Sequence, residues 1–261
     1  MDLHFDKASG EKYKSKAQKI RVMSENWVEK NMFCPCCGNP RLLKLKNNEP
    51  VADMKCENCC EIFELKSKQG KTGKKINDGA YSTMIERIKS ITNPGLFVMQ
   101  YSSDYIVTDF VLVPKFFLVP QMIEKRKPLA PEARRAGWTG CNILYSEIPQ
   151  QGKIDIIKNG TVLPVNEVKE HYFKVKKLES RNIDSRSWLL DVLDCVNHMK
   201  SEEFCLQDIY AYSEILQIKH RNNHNVEAKI RQQLQVLRDK GFIEFSGKGH
   251  YKKLSLLYCE C

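Results

Sequence analysis

The sequence predicts an α/β (α+β) domain over residues 1–181, followed by a smaller unit of helices and a β-hairpin over residues 182–261. The first observation behind this prediction is the mixture of helical and strand patterns in the longer part. The second is the order of patterns in the shorter part, where three helices precede two short strands, as in a winged helix. The length of 261 residues agrees with two domains.

Apolar side chains at three- and four-residue steps predict helices over residues 11–33 and about 78–89. Runs rich in branched and aromatic residues, together with a tight-turn pair at Asn159-Gly160, predict strands. The predicted strands are 50–55, 62–66, 95–101, 105–113 and two within 153–163. A charged stretch near 177–187 marks the domain boundary. The winged-helix patterns are helices at about 186–199, 206–218 and 225–240, then strands at 242–245 and 251–254.

Composition and charge narrow the class of function. Hydrophobic residues make up 42% of the chain, which is enough for packed cores and excludes a disordered-protein composition. No segment approaches the roughly 20 apolar residues of a membrane span, and the N-terminus lacks the apolar core of a signal peptide. A cytoplasmic protein with no membrane partner is therefore expected.

The net charge of +10 predicts a polyanionic partner, because lysines and arginines that bind phosphates release counterions from nucleic acid. The whole excess lies in residues 1–181. The second unit is neutral in total, but its residues 219–253 hold nine basic and only three acidic side chains. This local excess falls on the third predicted helix and the hairpin, where DNA would lie.

Six of the eleven cysteines fall within residues 34–60 and include two CxxC pairs. Four thiolates at this spacing can enclose one Zn²⁺ as a closed structural site, with no open position for a catalytic water. The sequence therefore predicts a zinc-binding site inserted in the first domain. The predicted ligands are Cys34, Cys37, Cys56 and Cys59.

Other cysteine arrangements stay open. Cys36 and Cys60 each lie beside a predicted ligand and allow a different register, Cys34 with Cys36 or Cys56 with Cys60. The two-residue gaps are preferred because they make the tighter knuckle. Cysteines that only pack as small hydrophobic side chains, without a metal, are the alternative.

Two carboxylates and a lysine flank the second cysteine pair in the segment PVADMKCENCCEIFELKSK. The spacing places Asp53 on one strand and both Glu64 and Lys66 on the next, where alternate side chains share a face. Carboxylates suit Mg²⁺, and the lysine can orient or activate water and offset developing negative charge. The pattern predicts phosphodiester hydrolysis on a hairpin that zinc stiffens. A solvated strand face is the alternative, because such a pattern also occurs by chance.

Longer stretches of the chain carry a family resemblance. They are PVAD, FELKSK, INDGAYSTM, RKPLAPEARRAGWTGCNI and KIRQQLQVLRDK. Over nearly its whole length the chain resembles the methyl-directed restriction endonucleases of the PD-(D/E)xK nuclease superfamily. The extra cysteines Cys36 and Cys60 and the tail SLLYCEC depart from that family.

The resemblance implies a PD-(D/E)xK nuclease domain followed by a winged-helix domain. It implies Mg²⁺-dependent cutting of double-stranded DNA at GATC sites that contain methylated adenine, and a monomer. It also implies catalytic roles for Asp53, Glu64 and Lys66, with Asp53 and Glu64 as magnesium ligands, and zinc ligation by the two CxxC pairs.

The third C-terminal helix predicts a DNA-reading face. Its apolar residues Ile230, Leu234 and Leu237 are expected to bury against the other helices and to leave the polar residues outside. Glutamine can pair with adenine and arginine with guanine in the major groove, while lysines of the hairpin hold phosphates. The predicted contacts are Lys229, Arg231, Gln232, Gln235, Arg238, Lys248 and Lys252. For each residue singly, a solvated face is the alternative.

A basic segment at 125–141, KRKPLAPEARRAGWTGC, predicts a second DNA-facing surface. Arg134 and Arg135 are candidates for phosphate contacts, and Trp138 offers a flat apolar face to an adenine methyl group. One buried methyl group contributes about 1 kcal/mol or less, so steric fit or several sites must sharpen the discrimination. A tryptophan in the core is the alternative.

Two other functions stay open at this stage. A non-cleaving regulator with zinc and a winged helix would bind DNA and show no Mg²⁺-dependent cleavage. A related nuclease would instead act on unmethylated or structured DNA.

Overall fold

The computed structural model describes residues 1–45, 52–90 and 92–254. The first two residues of the strand predicted at 50–55, and the tail with Cys259 and Cys261, lie outside these ranges. The helices of the first part are α1 (Lys16–Asn31), α2 (Tyr81–Lys89) and α3 (Val165–Lys176). Its strands are β1 (Leu43–Lys44), β2 (Met54–Lys55), β3 (Ile62–Gln69), β4 (Ile76–Ala80), β5 (Gly95–Tyr101), β6 (Val107–Val113), β7 (Ile123–Lys125), β8 (Gly140–Ile143), β9 (Ile154–Lys158) and β10 (Thr161–Val162).

Seven of these strands form one sheet in the order β1-β2-β3-β5-β6-β9-β10. β3 and β5 pair in parallel, while the other neighbours pair antiparallel. A parallel pair needs a crossover connection, and β4 with α2 supplies it here. β4 itself pairs with β8 in a separate three-stranded sheet of order β4-β8-β7, called the small sheet below.

Aromatic packing fixes the central strands against α1. The rings of Phe63 and Phe97 stack at 4.5 Å between centroids, and Phe110 lies 4.9 Å beyond Phe97. Trp27 of α1 meets Phe110 edge-on at 5.8 Å. Since side chains alternate along a strand, burying Phe63 on this face directs Glu64 to the opposite face.

The second part forms the predicted winged helix. Its elements are α4 (Ile183–His198), β11 (Glu203–Cys205), α5 (Leu206–Tyr210), α6 (Ser213–Lys219), α7 (Val226–Asp239), β12 (Ile243–Gly247) and β13 (His250–Lys253). The side chains of Asn182 and Asn225 cap α4 and α7 by accepting backbone hydrogen bonds. β13 lies between β11 and β12, so the hairpin is anchored to the helices through a third strand. The amide side chains of Gln151 and Asn197 exchange two hydrogen bonds of 2.7 Å and join this unit to the first.

The sequence prediction is wrong in several places. The helix predicted from about residue 78 begins at Tyr81, and residues 76–80 are a strand. INDGA has little strand preference of its own, and its pairing with β8 overrides the local pattern. The helix predicted over 206–218 is interrupted between α5 and α6, while α3 and β11 were not predicted. Across the described parts of the chain, no helix has the length and apolarity needed to cross a membrane.

Candidate active site and metal centre

Asp53 directly precedes β2, and the backbone pairing of β2 with β3 continues to this residue. Its N–H donates to Phe63 O at 2.9 Å, and its Oδ2 accepts from the N–H of Leu65 at 2.7 Å. Arg21 of α1 approaches Oδ1 at 3.7 Å and pairs with the buried carboxylate of Glu25 at 2.5 Å. These contacts fix the Asp53 carboxylate beside β3.

Glu64 and Lys66 lie on the same face of β3, as their spacing predicted. Lys66 Nζ is 2.6 Å from Glu64 Oε1. It is also 2.6 Å from Oδ1 of Asp78, which reaches across from the small sheet. Asp78 was not among the site residues that the sequence predicted. Asp78 lies in the stretch INDGAYSTM, one of those that carry the family resemblance, but nothing in that stretch indicates a contact with Lys66.

Burial controls the charge of this cluster. It raises the pKa of Asp53, and it raises the pKa of Glu64 to about 7, with Asp78 and Asp53 adding to the effect. Burial alone would lower the pKa of Lys66, but the attraction of Glu64 and Asp78 outweighs it and raises that pKa. Two half-buried carboxylates with raised pKa values fit a hard divalent cation, because a bound cation offsets the cost of partly burying their charges.

The cluster opens into a cleft of about 870 Å³, which is lined by residues of α1 and β3. Asp53, Glu64 and Lys66 all line it. Its remaining charged lining is mainly basic and consists of Lys16, Arg21 and Lys68, with Glu25 as a further acid. A cleft with basic walls beside a cluster of carboxylates can receive a phosphate backbone at the point where a metal ion would be held.

The four predicted zinc ligands come together in two matching knuckles. Cys34, Cys37, Cys56 and Cys59 place their sulfur atoms within 4.8 Å of one another. The N–H of Gly38 donates to Cys34 O at 2.8 Å, and that of Cys60 donates to Cys56 O at 2.9 Å. Gly38 and Cys60 hold equivalent positions, with φ of 81° and 60°. Cys60 thus forms the turn of its knuckle, and the four cysteines that lie together are those of the predicted two-residue register.

The sulfur spacing suits a tetrahedral ion. Cys34 Sγ lies 3.6 Å from Cys59 Sγ, and Cys37 Sγ lies 3.6 Å from Cys56 Sγ. Zn–S bonds of about 2.3 Å at tetrahedral angles require about 3.8 Å between sulfurs. Cys36 is buried but stands outside the cluster, and Cys60 is exposed. A four-cysteine cluster that could bind zinc is therefore present at the turn of the hairpin that carries Asp53 and Glu64.

The predicted basic loop connects β7 to β8 on the small sheet. Arg134 and Arg135 are exposed, and Trp138 is half-buried. The Arg135 guanidinium lies 4.7 Å from the centre of the Trp138 ring, within cation–π range. Gly140 lies under the same ring, where a Cβ atom would come within 2.9 Å of Trp138. Trp138 is therefore held at the protein surface, which removes the alternative of a core tryptophan.

α7 presents the face that its sequence predicted. Ile230, Leu234 and Leu237 are buried. The exposed polar candidates are Arg231, Gln232, Gln235 and Arg238 on the helix, with Lys248 and Lys252 on the hairpin, while Lys229 is half-buried. Some of them already have partners: Arg231 donates to Tyr210 Oη at 2.7 Å, Lys229 to Gln232 Oε1 at 2.8 Å, and Arg238 pairs with Asp239 at 2.8 Å. Gln235 and Lys248 project into solvent.

Comparison with protein families covers both parts of the chain. The family model DpnI, which describes the Dam-replacing family, matches residues 1–181. The family model of the Dam-replacing HTH domain matches residues 184–253. The chain belongs to the Dam-replacing family. Membership of the Dam-replacing family supports a restriction-type nuclease that acts on DNA, with a C-terminal helix-turn-helix domain that binds it.

Proposed function

We propose that this protein is a restriction endonuclease that uses Mg²⁺ to hydrolyse double-stranded DNA at GATC sites containing methylated adenine. The observation that carries the proposal is the cluster of Asp53, Glu64 and Lys66 in a cleft with basic walls. Membership of the Dam-replacing family supports the nuclease class, and the resemblance of the sequence to methyl-directed enzymes supports the target. The protein acts as a monomer in this proposal.

Each residue of the cluster has a distinct role. Asp53 and Glu64 hold Mg²⁺, which when bound polarises the scissile phosphate and stabilises its negative charge. Lys66, charged and held between two carboxylates, orients the attacking water and offsets charge that develops on the phosphate. The hydrogen bond from Leu65 to Asp53 keeps the two strands of the hairpin in the register that this geometry needs.

Zinc is structural in this proposal. Four thiolates leave no open coordination position, so the ion binds neither water nor substrate. Burial raises the pKa of the Cys59 thiol, so without a metal ion this cysteine holds a proton that zinc would displace. A bound ion then ties the two knuckles together and fixes the hairpin between Cys56 and Glu64.

DNA reading is divided between the two domains. Residues 1–181 carry cleavage and contact DNA through Arg134, Arg135 and Trp138. Residues 182–261 place α7 in the major groove and the hairpin on the backbone, with exposed Gln235 and Lys248 free to make such contacts.

The first experiment incubates the wild type with matched methylated and unmethylated GATC plasmids, in Mg²⁺ and in EDTA. Cleavage is expected only with methylated DNA and Mg²⁺. Cleavage of both plasmids would leave a nuclease of different specificity. Binding without cleavage under every condition would instead favour the non-cleaving DNA-binding regulator.

Trp138→Ala is expected to lower the preference for methylated over unmethylated DNA by about 5-fold for each methyl group sensed, because one buried methyl contributes about 1 kcal/mol. Cleavage rates on the two plasmids measure this ratio. Trp138→Phe serves as the matched control, since it keeps an apolar ring beside Arg135. An unchanged ratio in the alanine variant would exclude Trp138 as a methyl contact.

A further inference from the structure

The carboxylate of Asp78 enters the catalytic cluster from a different sheet. Its Oδ1 atom lies 2.6 Å from Lys66 Nζ and also accepts a 2.6 Å hydrogen bond from the N–H of Gly79. The side chain is only 7% exposed. Its Oδ2 atom is buried and has no hydrogen-bond partner among the described residues. A buried carboxylate with one partnerless oxygen is costly, so its main compensation is the charge of Lys66.

The strand that carries Asp78 is held firmly in place. β4 pairs with β8 so that Asp78 lies opposite the buried Cys141, and the N–H of Tyr81 donates to Thr139 O at 3.0 Å. Pairing with β8 before and after Asp78 along the chain thus fixes the backbone that carries this carboxylate. Such support is what a group needs to orient another side chain within narrow tolerances.

Lys66 and a metal ion compete for the same oxygen. Lys66 Nζ contacts Glu64 Oε1, and Glu64 is a proposed magnesium ligand. Without a second anionic partner, the ammonium group would either block Glu64 or move away when the ion binds. Asp78 supplies that partner from the small sheet.

We propose that Asp78 is a positioning residue for Lys66, which it holds beside the cleft while Glu64 binds the metal ion. This inference rests on the proposed function of the Asp53, Glu64 and Lys66 cluster. Asp78 acts through the lysine and touches neither DNA nor the ion. Its loss therefore leaves Lys66 paired with Glu64 alone, which weakens metal binding and misplaces the lysine at the same time.

Asp78→Asn tests the proposal because it keeps the size of the side chain and removes its charge. We expect the single-turnover cleavage rate on methylated GATC DNA to fall about 10- to 100-fold, the scale of losing a group that orients a side chain of a metal site. Mg²⁺ affinity, measured by isothermal titration calorimetry, is expected to weaken several-fold. DNA affinity in EDTA should stay unchanged.

A variant that lacks Lys66 separates the positioning of this lysine from a direct effect of the Asp78 charge on the metal ion. The double variant Lys66→Met/Asp78→Asn is expected to bind Mg²⁺ with the same affinity as Lys66→Met alone. The contact between Asp78 and Lys66 is already absent in Lys66→Met, so Asp78→Asn has nothing further to remove. A further weakening in the double variant would show that Asp78 acts on the ion directly and would overturn the proposal.

Glu124→Gln is the matched control. Glu124 lies on β7 of the same small sheet and pairs with Lys75 at 2.6 Å, away from Lys66. Its loss should change neither the rate nor Mg²⁺ affinity, and an equal loss in both variants would overturn the proposal. A normal cleavage rate and a normal Mg²⁺ affinity in folded Asp78→Asn would also overturn the proposal. Asp78→Ser is the second variant if Asp78→Asn does not fold. A wild type that cuts no DNA would overturn the proposed function instead.

Discussion

Asp53→Asn is expected to lower the rate of Mg²⁺-dependent cleavage by about 10³-fold or more. The asparagine oxygen can still accept the hydrogen bond from Leu65, so the hairpin keeps its register. The change removes only the negative charge that a metal ligand needs. Losing one ligand from a catalytic ion removes several kcal/mol of transition-state stabilisation, and about 4 kcal/mol corresponds to a 10³-fold loss of rate.

Single-turnover cleavage of methylated GATC DNA measures this effect, and DNA binding in EDTA shows that the variant still recognises its target. Asp104→Asn is a suitable control, because Asp104 is an exposed carboxylate in the turn between β5 and β6. Cleavage by Asp53→Asn at the rate of the control would contradict the assignment of Asp53 as a magnesium ligand.

The second large effect concerns the four-cysteine cluster. Wild-type protein is expected to contain one Zn²⁺ per chain, and Cys59→Ser to lose most of it. The melting temperature should fall by about 10 °C or more, because a structural zinc ion contributes several kcal/mol and each kcal/mol corresponds to about 2–4 °C in a chain of this size. Cleavage should fall as well, since the same hairpin carries Asp53 and Glu64.

Zinc content by elemental analysis and thermal unfolding measure both changes. Cys60→Ser is a close control, because Cys60 is the next residue in the same knuckle and its exposed side chain lies outside the cluster. It should keep its zinc and its melting temperature. Equal losses in Cys59→Ser and Cys60→Ser would show that the knuckle, rather than a bound ion, sets the stability.

Local spacing explains why the sequence predicted so much of the site. The second CxxC pair and the Asp53 to Lys66 segment lie within one hairpin, where backbone geometry decides which side chains meet. The first CxxC pair lies shortly before β1, which pairs with the first strand of that hairpin. The winged helix followed from the same kind of local pattern, since Ile230, Leu234 and Leu237 share one face of α7.

Long-range pairing decided the rest. Asp78 meets Lys66 only because β4 pairs with β8, which lies far along the chain, and no local pattern contains that partner. The same pairing turned residues 76–80 into a strand against their own preference. It also holds the loop with Arg135 and Trp138 beside the strand that carries Asp78. By itself the sequence predicted which residues would bind metal and DNA; the tertiary structure decided which further carboxylate contacts the lysine, because that contact depends on two strands that meet only in the folded chain.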